Sequence, residues 1–63
     1  MEKYGLYLYK IILAAPATWV YEIYDPNYPN IPPLRESSEW FETEQRARYA
    51  AIGHIDLLEN GEG

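Results

Sequence analysis

A chain of 63 residues has room for one small domain with a thin hydrophobic core, and the lack of cysteine with a single histidine excludes disulfides and a self-contained structural zinc site. Ten acidic residues against five basic ones give a net charge of -5, which disfavours direct nucleic-acid binding through phosphate neutralisation. Seven tyrosines, two tryptophans and one phenylalanine leave aromatic packing and self-association as the remaining sources of stability.

Residues 4–13 predict a β-strand, because they are rich in aromatic and branched side chains. In an extended chain, one face carries Leu6, Leu8 and Ile12, and the other carries Tyr7, Tyr9, Ile11 and Leu13. Both faces are apolar. We therefore expect this strand to be central in its sheet, or to have its second face covered by a partner.

Residues 14–17 predict a connection, because Pro16 has no N–H to donate to a sheet. Residues 18–24 predict a second strand that pairs with the first as an antiparallel hairpin. Its two faces carry Trp19, Tyr21 and Ile23 on one side and Val20, Glu22 and Tyr24 on the other.

Residues 25–33 contain Pro26, Pro29, Pro32 and Pro33, which predicts a stiff loop in place of regular structure. Residues 34–38 predict a short third strand that returns to the sheet. Trp40 and Phe41 then follow, and we expect them to fill the gap between the sheet and a helix.

Residues 44–59 predict that helix. Thr43 is a good N-cap, and Asn60 with Gly61 provides a left-handed stop. At about 100° per residue, one stripe gathers small and apolar side chains with Leu57 on its flank: Ala47, Ala50, Ala51, His54, Ile55 and Leu58. The predicted fold is α+β, a two- to three-stranded antiparallel meander packed by one C-terminal amphipathic helix, in a single domain over residues 1–63.

Some apolar residues do not fit the buried stripe. Tyr49 and Ile52 project from the opposite face of the predicted helix, and Gly53 in its middle costs about 1 kcal/mol relative to alanine. Tyr28 and Ile31, on the proline-rich loop, are further candidates for an interface. These four side chains, Tyr49, Ile52, Tyr28 and Ile31, are the predicted protein-binding site; the alternative is that scattered exposed apolar residues are ordinary or that the loop folds over them.

No residue pattern predicts catalysis, a cofactor or a metal. His54 has no nucleophile or carboxylate at a suitable spacing, so we expect a half-buried histidine bonded to the backbone or to a tyrosine hydroxyl. The carboxylates before the helix predict a solvated acidic edge, although they invite a divalent-cation interpretation: Glu36, Glu39, Glu42 and Glu44. The glycines lack the spacing of a phosphate loop, and we expect no enzyme.

The N-terminal residues superficially resemble a signal peptide, with Lys3, an apolar run and an Ala-Ala-Pro-Ala stretch. Glu2 spoils the positive segment and Lys10 interrupts the apolar run, so we do not expect one. No stretch approaches the roughly 20 apolar residues of a membrane span. A cytoplasmic protein with no membrane contact is the expectation.

From residue 19 onward the chain shows Trp-x-Tyr-x-Ile, a turn, and then Ser-x-x-Phe-x-Thr-x-x-x-Ala. This order is similar to small uncharacterised bacterial and phage domains of sheet-then-helix type, and in outline to HicB-like antitoxin domains and to one repeat of YegP-like domains. The proline-rich loop over residues 25–33 is longer than in those families. The resemblance implies the sheet-then-helix order and assigns no functional residue.

These observations predict a small acidic, non-enzymatic protein-binding module, an inhibitor or adaptor of bacterial or phage type, whose partner is another protein or a second copy of itself. A variant is a homodimer formed through the second face of the strands. The alternatives are a nucleic-acid mimic that occupies a basic groove of a nucleic-acid-processing enzyme, and a small-molecule binder at a subunit interface.

Overall fold

The computed structural model of the chain describes residues 1–28 and 32–61. It contains four strands and one helix: β1 (Glu2–Tyr4), β2 (Tyr7–Ala15), β3 (Thr18–Tyr24), β4 (Arg35–Glu36) and α1 (Glu44–Glu59). The strands form one antiparallel sheet in the order β1-β2-β3-β4, and α1 packs against β2 and β3. The predicted α+β meander is confirmed, with four strands where the sequence predicts two to three.

The strand predicted over residues 4–13 is two strands, and that prediction is wrong in its extent. Gly5 adopts a positive φ of 58° at the first of two turn residues, as in the tight turns that join adjacent antiparallel strands. Tyr4 pairs with Tyr7 across this turn, so the chain reverses at Gly5 and Leu6. The alternating pattern of side chains continues through the turn, so the sequence pattern alone does not reveal the turn.

The β2–β3 hairpin is closed by Pro16 and Ala17. Proline favours the first central position of such a turn, and Ala17 takes a left-handed φ of 54° at the second, where glycine is usual. The register shifts by one residue between Leu13 and Ala15, just before the turn. Ala17 is thus a strained residue in the turn of this hairpin.

β4 is shorter than the predicted strand over residues 34–38. Ser37 still donates its N–H to the Tyr21 carbonyl at 2.9 Å. Residues 38–40 then lie outside the sheet, and Phe41 returns to pair with Trp19. Trp40 lies in that excursion and is 59% exposed, so the expectation that it fills the gap between sheet and helix is wrong. Phe41 is half-buried and stacks on Tyr21, with 6.2 Å between ring centroids.

α1 begins and ends at the predicted residues. The Thr43 hydroxyl accepts the Arg46 N–H at 3.1 Å, and Gly61, at a φ of 80°, follows the last turn. Small helix residues meet large strand residues in the core: Tyr9, Tyr21, Ile23, Ala47, Ala51 and Ile55. The alanines allow the helix to lie close to the aromatic strands.

Candidate protein-binding surfaces

One row of α1 side chains is left uncovered by the rest of the described chain. Tyr49, Gly53 and Leu57, which we call the glycine row, are spaced four residues apart and so follow one another along the helix surface. Tyr49 is 64% exposed and Leu57 is 47% exposed. The row presents an aromatic, a bare stretch of backbone and an aliphatic side chain in succession.

Gly53 has no role in packing within the described residues. A Cβ built on it would meet nothing within 4 Å, and its φ is not in the left-handed range that requires glycine. A glycine in a helix interior costs about 1 kcal/mol relative to alanine. Gly53 therefore lowers the stability of the helix, and no contact within the described residues requires a glycine there. The missing side chain leaves room for another molecule to approach the helix backbone.

A groove of about 590 Å³ runs beside the row, between α1 and the β4 edge of the sheet. Its walls combine helix and sheet residues: Tyr21, Glu36, Ser38, Ala50, Gly53, His54 and Leu57. These described lining residues include one acidic residue and no lysine or arginine. β4, at this edge of the sheet, has only two residues.

His54 lies in the wall of the groove and contacts Tyr21. Its Nδ1 is 2.8 Å from the Tyr21 hydroxyl, and the two rings meet edge to face with centroids 5.8 Å apart. The expected half-buried histidine bonded to a tyrosine is confirmed. Burial raises the pKa of the Tyr21 hydroxyl, and the nearby Glu39 charge raises it further. The hydroxyl therefore stays protonated at neutral pH.

The other flank of α1 is closed. Arg48 bonds Glu2 of β1, Glu44 of its own helix at 2.9 Å and, at 3.4 Å, the Tyr9 hydroxyl. The hydrogen bond from Arg48 lowers the pKa of the Glu2 carboxyl. Further along, Glu59 accepts the Leu6 N–H at 3.2 Å. β1 and its turn thus tie down one side of the helix, and the β4 side stays open.

The predicted site residues do not form one cluster in the described chain. Tyr49 is exposed, with its hydroxyl 3.0 Å from Gln45 Nε2, whereas Ile52 is half-buried on the flank that faces β1. Tyr28 is 61% exposed beyond β3, and its described hydrogen bond runs from its N–H to Asp25, not to the helix. Ile31 lies outside the described residues. Leu57, expected beside the buried stripe, is more exposed than Ile52.

A second candidate surface is the face of the sheet opposite α1, which we call the open face. The register places three pairs side by side on it: Leu8 with Tyr24, Lys10 with Glu22, and Ile12 with Val20. Tyr24 is only 7% exposed, and the other five side chains are half-buried. Lys10 Nζ lies 3.6 Å from Glu22 Oε1, and that carboxylate also accepts the Tyr24 hydroxyl at 2.7 Å. Across residues 1–28 and 32–61, no helix or strand packs on this face.

Neither a metal cluster nor a membrane span is found in the described part of the chain. The acidic residues Glu36, Glu39, Glu42 and Glu44 are exposed there, and no three potential ligands lie together. No described helix is long and apolar enough to cross a bilayer.

Comparisons with protein-family models, with curated proteins and with solved structures gave no significant match. The resemblance to bacterial and phage domains therefore stays a prediction.

Proposed function

We propose that this protein is a small acidic, non-enzymatic protein-binding module, an inhibitor or adaptor, and that the glycine row with its groove is the surface that receives the partner. The observation that supports this proposal most strongly is Gly53. It is a mid-helix glycine that nothing in the described chain approaches, and it lies between two exposed apolar side chains. A cost in helix stability with no internal contact is best accounted for by an external one.

The geometry of the row favours close backbone contact with the partner. Without a Cβ at Gly53, a helix or an extended segment can approach nearer than an ordinary side chain allows. Tyr49 and Leu57 then lie on either side of the contact, and an exposed tyrosine is a typical interface anchor because it buries a large area at a small entropic cost.

The charge of the surface indicates the chemistry of the partner. Among the described residues that line the groove, Glu36 is acidic and none is a lysine or arginine, and the whole chain carries a net charge of -5. A partner that presents lysine or arginine at the rim of an apolar segment is electrostatically complementary, which mainly raises the association rate and the specificity.

Site-specific crosslinking tests this proposal. A photoreactive phenylalanine analogue at Tyr49 should crosslink a discrete partner in the cells that make this protein, and the same analogue at Ala15, an exposed residue at the end of β2, should not. If Tyr49 and Ala15 give the same crosslinking pattern, the glycine row is not the binding surface.

A further inference from the structure

The open face of the sheet has a pattern of charge that matches itself. Lys10 and Glu22 are cross-strand neighbours at the centre, with Leu8 and Tyr24 on one side of them and Ile12 and Val20 on the other. The two groups are partners within the chain, and Lys10 retains 44% exposure of its side chain and Glu22 retains 23%, so a charge placed above the face can reach both.

A two-fold axis parallel to the strands, midway between β2 and β3, would lay β2 of one copy over β3 of a second. Because the axis preserves position along the strands, each Lys10 then faces Glu22 of the second copy, and each Leu8 faces its Tyr24. The second apolar pair, Ile12 and Val20, is matched in the same way.

A two-fold axis across the strands has the opposite effect. When it passes through the Lys10–Glu22 pair, it places Lys10 over Lys10 and Glu22 over Glu22, which like-charge repulsion disfavours. The register therefore distinguishes one arrangement from the other, and sheets packed face to face usually keep their strands within about 30° of each other.

The edge strands supply a second complementary pair. Lys3 of β1 lies level with Leu8, and Glu36 of β4 lies level with Glu22. Under the axis parallel to the strands, Lys3 comes over β4 of the second copy, about 7 Å along the strand from its Glu36. That distance is within reach of a lysine side chain. The same pairing also relieves Glu22 and Glu36, which are like charges directly opposite each other in one sheet.

The area of the face limits how large such a contact can be. Seven paired positions at about 3.3 Å and four strands at about 4.8 Å give at most roughly 440 Å² per copy, below the roughly 800 Å² per partner of a standard interface. The accessible surface of the chain, 4239 Å², also equals the roughly 4,200 Å² expected of a compact monomer of its mass.

We propose that the open face binds a second copy of this chain, giving a dissociable two-fold dimer in which Lys10 of each copy pairs with Glu22 of the other. This goes beyond the proposed binding function and uses the open face, which shares the edge residue Glu36 with the groove beside the glycine row. The small area makes it a concentration-dependent dimer whose copies remain folded when they separate.

Sedimentation equilibrium from about 1 µM to about 1 mM tests the proposal, because an interface of this area belongs to the weak, transient class. The mean mass should rise from 7.4 kDa toward twice that value. A constant mass of 7.4 kDa over the whole range would overturn the second copy as the occupant of this face.

Two charge-reversal variants identify the surface. Lys10→Glu sets two carboxylates against each other at both contacts of the dimer, and Glu22→Lys sets two ammonium groups against each other there. Each variant alone should therefore raise the dissociation constant at least about tenfold. An equal mixture of the two variants restores opposite charges at both contacts and should associate again. Circular dichroism of each variant shows that the fold is retained.

The outcome distinguishes this dimer from the binding function. Gly53→Gln, which changes a residue of α1 outside the open face, should leave self-association unchanged. If self-association is lost in Gly53→Gln and unaffected by Lys10→Glu, the copies meet through the glycine row and the open-face dimer is wrong.

Discussion

Replacing Gly53 with alanine should stabilise the protein. The residue lies in the interior of α1, and a Cβ there meets no atom within 4 Å, so the substitution adds helix propensity without a clash. The gain is about 1 kcal/mol from propensity, part of it from the lower entropy of the unfolded chain. For a domain of this size it should raise the Tm by roughly 4–8 °C.

Gly61 provides a matched control. It also has nothing within 4 Å of a built Cβ, but its φ is 80°, in the region where alanine is strained. Gly61→Ala should therefore destabilise the protein by about 1 kcal/mol. The same chemical change is expected to have opposite signs at the two sites, because only the backbone conformation differs.

Urea unfolding followed by circular dichroism measures both variants under identical conditions. The free energy of unfolding should increase for Gly53→Ala and decrease for Gly61→Ala, with unchanged dependence on urea concentration. A loss of stability in Gly53→Ala would refute the reasoning, since it would mean that the chain itself needs the space at Gly53.

Two further predictions concern other parts of the fold. Ala17→Gly should raise the free energy of unfolding by about 0.5–1 kcal/mol in the same assay, because it relieves a left-handed φ of 54° at the hairpin turn; an unchanged or lower value would contradict the strain at Ala17. The hydrogen bond from Arg48 lowers the pKa of the Glu2 carboxyl from the ordinary 4.5. The contribution of the Glu2 carboxylate to the free energy of unfolding is therefore complete above pH 4.5 and is lost as the pH falls through the lowered pKa. The stability difference between the wild type and Glu2→Gln should therefore be present at neutral pH and vanish in strong acid, and a difference that persists in strong acid would contradict this account.

Local signals made α1 predictable to its terminal residues. Thr43 and Gly61 mark its ends through side-chain capping and glycine conformation, and both act within a few residues of chain. The turn at Gly5 was not predictable in the same way, since apolar residues alternate on both sides of it and the glycine alone does not distinguish a strand from a reversal.

The candidate surfaces were predictable in part. Tyr49 and Gly53 stand out on a helical wheel, but the relative exposure of Ile52 and Leu57 depends on which flank of the helix the sheet covers. That in turn depends on the tertiary contacts of β1 with Arg48 and on the two-residue length of β4, neither of which has a local signature. The match between Lys10 and Glu22 likewise requires the register of the hairpin.

The most direct test of the proposed function is the affinity of a partner captured at Tyr49, titrated against wild type, Gly53→Gln and Ala15→Gln by isothermal calorimetry. Gly53→Gln adds a side chain that the folded chain accommodates and that a partner in close contact with the row does not. The account predicts a Kd at least about tenfold higher for Gly53→Gln, equivalent to about 1.4 kcal/mol, with Ala15→Gln unchanged. Equal affinities for all three proteins would contradict it.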